Sequence, residues 1–292
     1  MQFSGVLTAL VTPFKNNVLD EEVYRAFIER QIAEGIHGLV PCGTTGESAT
    51  LSHEEHERVI DICIDQARGR VPVLAGAGSN NTVEAIRLTR FAQKAGADGA
   101  LLITPYYNKP TQEGLYRHFK AIADAVDLPL VPYNVPGRTG CSIAPTTLSR
   151  LARECPNIVG VKEATGDMAQ GSRILEQCPD TFSVLSGDDL SALALLALGG
   201  RGVISVTSNL VPARMAAMYN AFSKGDLGEA RKIHHSLFPL HEALFFESNP
   251  IPVKTALELL GIMRAEMRLP LCPMGESAKQ RLEDVLRTQR LL

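Results

Sequence analysis

The chain has 292 residues, 45% hydrophobic and 21% charged, with 29 Lys and Arg against 32 Asp and Glu and a formal net charge of −3. That mild acidity carries no basic footprint for nucleic acid, and the length fits either two ordinary domains or one large α/β barrel. Six cysteines (Cys42, Cys63, Cys141, Cys155, Cys178 and Cys272) contain no C-x-x-C pair, which argues against a zinc ribbon, a thioredoxin-type redox site and a secreted disulfide scaffold.

Residues 1–10 have no basic segment before their short apolar run, so no signal peptide is expected. No stretch approaches the ~18 apolar residues of a membrane span; the longest, 192–198, reads as core. The expected location is the cytoplasm, with neither a membrane nor a nucleic-acid partner.

In chain order, short β-branched or apolar runs alternate with longer amphipathic ones. Strands are predicted at 6–11, 38–41, 71–75, 100–104, 128–133, 158–162, 182–186 and 202–206. Helices are predicted at 21–33, 54–67, 83–94, 113–125, 147–153, 169–177, 190–198 and 212–222. Asp20, Ser52 and Asn81 stand where N-caps belong, and Gly35, Gly69 and Gly96 stand where helices should end. Eight strands with eight crossovers give a (β/α)₈ TIM barrel over 1–224; the rival, a doubly wound open sheet, usually stops at five or six strands. From 225 to 292 three helices are predicted, near 227–246, 252–260 and 277–292, as an appendage packed on the barrel or on a neighbouring subunit.

In a barrel of this type the site is built at the C-terminal ends of the strands. Those ends carry Gly43-Thr44-Thr45-Gly46-Glu47, Gly76-Ala77-Gly78-Ser79-Asn80, Thr104-Pro105-Tyr106-Tyr107-Asn108, Tyr133-Asn134-Val135-Pro136-Gly137-Arg138, Lys162-Glu163-Ala164-Thr165, Gly187-Asp188-Asp189 and Ser205-Val206-Thr207. Alternation puts Ile158, Gly160 and Lys162 on one strand face. If that face points inward, partial desolvation favours the neutral amine, the form that attacks a carbonyl; otherwise Lys162 reaches solvent along its stem. Tyr133, one strand earlier, is placed to exchange protons during imine formation, or is a core tyrosine with a satisfied hydroxyl.

The remaining motifs point less sharply. Gly76-Ala77-Gly78 lacks a dinucleotide fingerprint's third glycine, and Gly43-Thr44-Thr45-Gly46 lacks a following Gly-Lys-Ser/Thr. Both read as tight turns whose N–H groups suit a carboxylate. His53 and His56 are three apart rather than four, so they read as a solvated helix start and not as zinc ligands. Cys42 reads as a small buried hydrophobe.

Taken together and in order, Gly43–Ala49, Thr104–Asn108, Tyr133–Thr139, Gly160–Thr165, Leu185–Asp189 and Asn249-Pro250-Ile251-Pro252-Val253-Lys254 resemble the dihydrodipicolinate synthases, of the pyruvate-dependent class I aldolase and N-acetylneuraminate lyase superfamily. The resemblance implies a synthase of lysine and diaminopimelate biosynthesis that condenses pyruvate with L-aspartate 4-semialdehyde through a Schiff base on Lys162, with no metal or organic cofactor. Tyr133 would then donate and accept protons, in a relay with Thr44 and with Tyr107 from the partner subunit. Thr45, Gly187 and Ile204 would position pyruvate, and Arg138 would receive the semialdehyde carboxylate.

The same resemblance implies that Ser48, Ala49, His53, His56, Asn80, Glu84 and Tyr106 bind feedback-inhibiting L-lysine, and that the chain forms a homotetramer, a dimer of dimers. Pro132 departs from the family pattern beside Tyr133, where it removes an N–H donor. An N-acetylneuraminate lyase or 2-keto-3-deoxy sugar acid aldolase, and a non-catalytic amino-acid-sensing barrel, are the competing readings. Arg138 and the Thr44/Tyr107 pair favour the synthase over the first two, and the intact Lys162, Tyr133 and Thr44 over the last.

Overall fold

The structure is a computed structural model, and it describes residues 2–292. Among the described residues there are ten strands: β1 (Gly5–Ala9), β2 (Phe14–Lys15), β3 (Val18–Leu19), β4 (Gly38–Val40), β5 (Leu74–Gly76), β6 (Gly99–Ile103), β7 (Leu130–Asn134), β8 (Gly160–Glu163), β9 (Ser183–Ser186) and β10 (Gly202–Ser205). Helices separate them: α1 (Glu21–Ala33), α2 (His53–Ala67), α3 (Thr82–Ala95), α4 (Gln112–Ala123), α5 (Pro136–Thr139), α6 (Pro145–Glu154), α7 (Met168–Gln177), α8 (Ala192–Leu198) and α9 (Pro212–Ser223). Three more, α10 (Leu227–Ala243), α11 (Ile251–Leu259) and α12 (Glu276–Thr288), follow. The main sheet runs β4-β1-β10-β9-β8-β7-β6-β5, the strand order of a (β/α)₈ TIM barrel. The α/β reading with C-terminal helices holds.

Local chemistry explains the boundaries. The Asp20 carboxylate accepts from Val23 N–H at the start of α1. Ser52 and Glu55 form a reciprocal capping box on α2, and the Asn81 side chain accepts from Val83 N–H on α3. Gly96 closes α3 at a φ of +91°, a conformation that costs a residue without a Cβ little.

Two compact units divide the chain. The first takes residues up to Gly5 together with Pro72–Ile204. Its strands are parallel and buried on both faces, so they carry near-continuous apolar runs. Their register pairs Ile103 with Tyr133, Tyr133 with Lys162, and Lys162 with Leu185. The second unit takes Val6–Val71 and Ser205–Leu292. There β1 and β4 pair in parallel, α10 joins α9 through Arg214 to Ser236, and α12 joins α10 through Gln289 to the Ser236 carbonyl.

One element was not expected. β2 and β3 form an antiparallel hairpin whose turn residues, Asn16 and Asn17, hold φ of 55° and 63°. Two successive left-handed residues make the tight turn that matches strand twist, and asparagine tolerates it best after glycine. No helix among the described residues is long and apolar enough to cross a membrane.

Candidate active site

Adjacent strands place Lys162 and Tyr133 side by side. They are register partners on β8 and β7, both buried, with Lys162 6% exposed and its Nζ 4.2 Å from the Tyr133 ring centroid. Burial pushes the ammonium down from the ordinary lysine range to about 7; the Arg138 charge pushes the same way, and Asp189 opposes it. The ring face also attracts the cation, yet desolvation wins. The amine is therefore neutral about half the time near pH 7, which a nucleophile requires.

Gly187 follows β9 and makes room for this lysine. A Cβ at that position would sit 2.5 Å from Ala164 Cβ and 3.0 Å from Lys162 Cε. Such distances leave no space for any side chain.

One residue further along the same two strands, Asn134 and Glu163 pair and are both buried. Asn134 Nδ2 donates to Glu163 Oε2 at 2.9 Å, Gln170 Nε2 donates to the same oxygen at 3.0 Å, and Thr165 N–H donates to Oε1 at 2.8 Å. Asn134 Oδ1 accepts from Ile143 N–H at 3.1 Å. This network clamps the segment after β7, which contains α5 and the exposed Arg138. Sequence reading quoted both residues but gave them no role. The available signal was two polar residues inside buried strand ends.

Pro132 does not interrupt β7. It pairs in register with Leu102, and the Tyr133 carbonyl still accepts from Thr104 N–H at 2.9 Å. Asn80 and Tyr106 meet in the loops after β5 and β6: Asn80 Nδ2 donates to the Tyr106 carbonyl at 3.1 Å, and Asn108 Nδ2 donates to the Asn80 carbonyl at 3.0 Å. Glu84, on α3, accepts from the Ser79 hydroxyl. Tyr107 stands 89% exposed at a φ of +70°. Ile204 is buried within β10.

Thr44, Thr45, Ser48, Ala49, His53 and His56 belong to the second unit. Past β4 the chain turns sharply, with Gly46 N–H donating to the Gly43 carbonyl at 3.0 Å and Cys42 and Glu47 both at positive φ. Thr44 is half-buried, whereas Thr45 is 2% exposed and its Oγ1 accepts from Asn249 Nδ2 at 2.9 Å. Ser48 and Ala49 lie in the single 3₁₀ turn that follows. One expectation fails here. His53 is solvated at the start of α2, but His56 is buried, its carbonyl accepting from the Cys42 thiol at 3.5 Å. One turn further into α2, a side chain meets the core and not solvent. Cys42 is the buried thiol expected, and burial pushes it well up from its ordinary range.

Sequence reading quoted Lys254 within a motif but gave it no role. It is wholly buried on α11, donating to Glu47 Oε1 at 2.6 Å and to the Thr12 carbonyl at 2.9 Å. Burial lowers its pKa while Glu47 opposes that shift. A lysine inside the apolar run of 251–257 was the signal. Among the described residues no cluster of three or more His, Cys, Asp or Glu is placed to hold a metal.

The chain matches the family model of the dihydrodipicolinate synthetase family over residues 2–289. It is 64% identical over 292 residues to the 4-hydroxy-tetrahydrodipicolinate synthase of Nitratidesulfovibrio vulgaris (strain DP4), covering 100% of both chains. The crystal structure of dihydrodipicolinate synthase from Thermotoga maritima superposes with a TM-score of 0.98 at 45% identity, covering 100% of both chains. That of the Cyanidioschyzon merolae enzyme with lysine bound gives a TM-score of 0.96 at 44% identity, covering 99% of each.

Proposed function

The chain belongs to the dihydrodipicolinate synthetase family, and from that premise we propose how its residues condense pyruvate with L-aspartate 4-semialdehyde. It is a Schiff-base-forming, pyruvate-dependent 4-hydroxy-tetrahydrodipicolinate synthase of lysine biosynthesis. The observation that carries the assignment of roles is the buried Lys162 amine against the Tyr133 ring.

In this reading neutral Lys162 adds to the pyruvate C2 carbonyl, and loss of one water leaves an iminium. Its C3 methyl group gives up a proton to form an enamine, whose carbon attacks the semialdehyde aldehyde and turns that oxygen into a hydroxyl. The amino group of the adduct then attacks the imine carbon, closing the ring and freeing Lys162. Tyr133 passes protons at the carbinolamine and aldehyde steps, relayed by Thr44 and by Tyr107 of a second subunit. Thr45, Gly187 and Ile204 hold pyruvate, and Arg138 takes the semialdehyde carboxylate through charge-assisted hydrogen bonds. The lysine imine supplies the electron sink, so no metal or organic cofactor enters the scheme.

Residues 1–224 act as the catalytic barrel and 225–292 as a helical region. The assembly is a homotetramer working in the cytoplasm. L-Lysine inhibits at Ser48, Ala49, His53, His56, Asn80, Glu84 and Tyr106, where the Glu84 carboxylate suits an ammonium and the Asn80 amide an amino-acid head group. The lysine-bound Cyanidioschyzon merolae relative supports this ligand class.

Borohydride reduction in the presence of pyruvate, followed by peptide mass spectrometry, tests the core of the reading. An adduct on Lys162 is expected; none, or one on a different lysine, overturns it. A coupled assay with aspartate semialdehyde as acceptor then separates this activity from the sugar-acid aldolases.

A further inference from the structure

A threonine hydroxyl has one proton to give and two lone pairs to receive with. At Thr45 one lone pair is already taken by Asn249 Nδ2, 2.9 Å away and 204 residues later in the chain. Both residues are buried, so water does not compete for the contact. With the amide donating into it, the hydroxyl is left to send its own proton elsewhere. An anionic acceptor gains from such a pre-oriented donor, because charge-assisted bonds are about twice as strong as neutral ones.

The surrounding backbone is held as firmly. Thr12 Oγ1 donates to the Gly46 carbonyl at 2.7 Å. Glu47, at a φ of +53°, gives Oε1 to the buried Lys254 ammonium at 2.6 Å and Oε2 to Arg268 N–H at 3.2 Å. The turn after β4 is thus gripped at its end by the segment that begins with Asn249. Freedom to reorient Thr45 is small.

We propose that Asn249 is a positioning residue for this enzyme: it sets Thr45 as a hydrogen-bond donor toward the carboxylate of the 2-oxo acid substrate. The inference rests on Thr45 being a pyruvate ligand, as assigned above. Asn249 does not itself touch the reacting atoms. Its part is to decide which way one proton points.

Asn249→Asp tests this. An aspartate has nearly the same shape but only accepts, so it draws the Thr45 proton back toward residue 249. The expected result is a pyruvate KM raised about tenfold or more, the loss of roughly one charge-assisted bond, with kcat changed less than about threefold. In a Thr45→Val background the same substitution should add less than about twofold, because the hydroxyl it acts on is gone.

Asn249→Ala, which introduces no charge, serves if the aspartate variant does not fold, and should shift KM the same way by a smaller factor. Melting temperature is read alongside. An unchanged KM in the folded variants, a loss shared equally by kcat, or effects that simply multiply in the double variant would each overturn the proposal. Failure of the unsubstituted protein to form a pyruvate adduct at Lys162 is a separate result; it removes the reading of the site, and this inference with it.

Discussion

Lys162 Nζ lies 4.2 Å from the centroid of the Tyr133 ring because the two residues are opposite one another in the parallel ladder of β7 and β8. A one-residue slip would turn one of them to the other sheet face. Register therefore sets the chemistry; the groups around this pair, and the buried ion pair of Lys254 with Glu47, carry five predictions.

The amine titrates near neutrality. With the Lys162 pKa at about 7, pyruvate-dependent cyanoborohydride labelling should rise with pH through an inflection near 7. Burial is the main cause, so the inflection persists in charge variants but moves. Asp189→Asn removes a charge that favours the ammonium and should shift it down; Arg138→Gln removes a repelling charge and should shift it up. An inflection above pH 9 in the unsubstituted enzyme contradicts the assignment.

Stability carries an imprint of the same sign. The folded pKa lies below the unfolded value of about 10.4, so the unfolded chain binds more protons between about 7 and 10, and stability rises with pH across that window. Below about 7 the penalty is fully present. Lys162→Met should abolish the adduct yet raise unfolding stability at pH 7 by on the order of 2–4 kcal/mol, read by urea denaturation. A variant less stable than its parent counts against a desolvated lysine.

Tyr133→Phe keeps the ring beside the lysine and removes only the hydroxyl. The expected loss is about 10²–10⁴ in kcat, the usual worth of a positioned proton donor, with melting temperature nearly unchanged. Stopped-flow or quenched labelling should show slower adduct formation. A rate within a few-fold of the parent would move the proton to another group.

Gly187→Ala probes crowding instead of charge. Its Cβ would press on Ala164 Cβ and on Lys162 Cε, and Ala164 has no flexible end to give way. The lysine must shift, so adduct formation should fall about 100-fold, the order expected for an ångström-scale misplacement. Ordinary labelling kinetics in Gly187→Ala would show that the lysine has slack.

Lys254→Met leaves the Glu47 carboxylate buried without its ammonium, which typically costs about 3–5 kcal/mol. Adding Glu47→Gln should restore a good part of that stability, because the stranded charge is then gone as well. A double variant no more stable than Lys254→Met would place the cost in packing and not in charge. Chemical denaturation of the three proteins decides between them.

Much of the fold was legible in the residues. α1 runs over the segment its periodicity marks out, α2 and α3 start at the caps Ser52 and Asn81, and every barrel strand falls within a few residues of an apolar run. Local rules govern those features: side-chain spacing, cap chemistry and backbone preference act within one turn or one strand. The hairpin at Asn16-Asn17 obeyed the same rules and was overlooked. Lys162, Tyr133 and Arg138 stood out for a similar reason, since they close strand-end motifs that resemble a known family.

What local pattern does not carry is the partner at long range. His56 looked solvated three residues from His53, and only packing put it inside. Asn249 and Lys254 sat in plain view within a quoted motif, but their partners, Thr45 and Glu47, lie 204 and 207 residues away. Whether a buried polar atom is satisfied, and whether a lysine is desolvated enough to lose its proton, depends on which distant segments the fold brings against it. Identity was therefore written in the sequence, while the pKa of Lys162 and the direction of the hydrogen bond at Thr45 were decided by tertiary contacts.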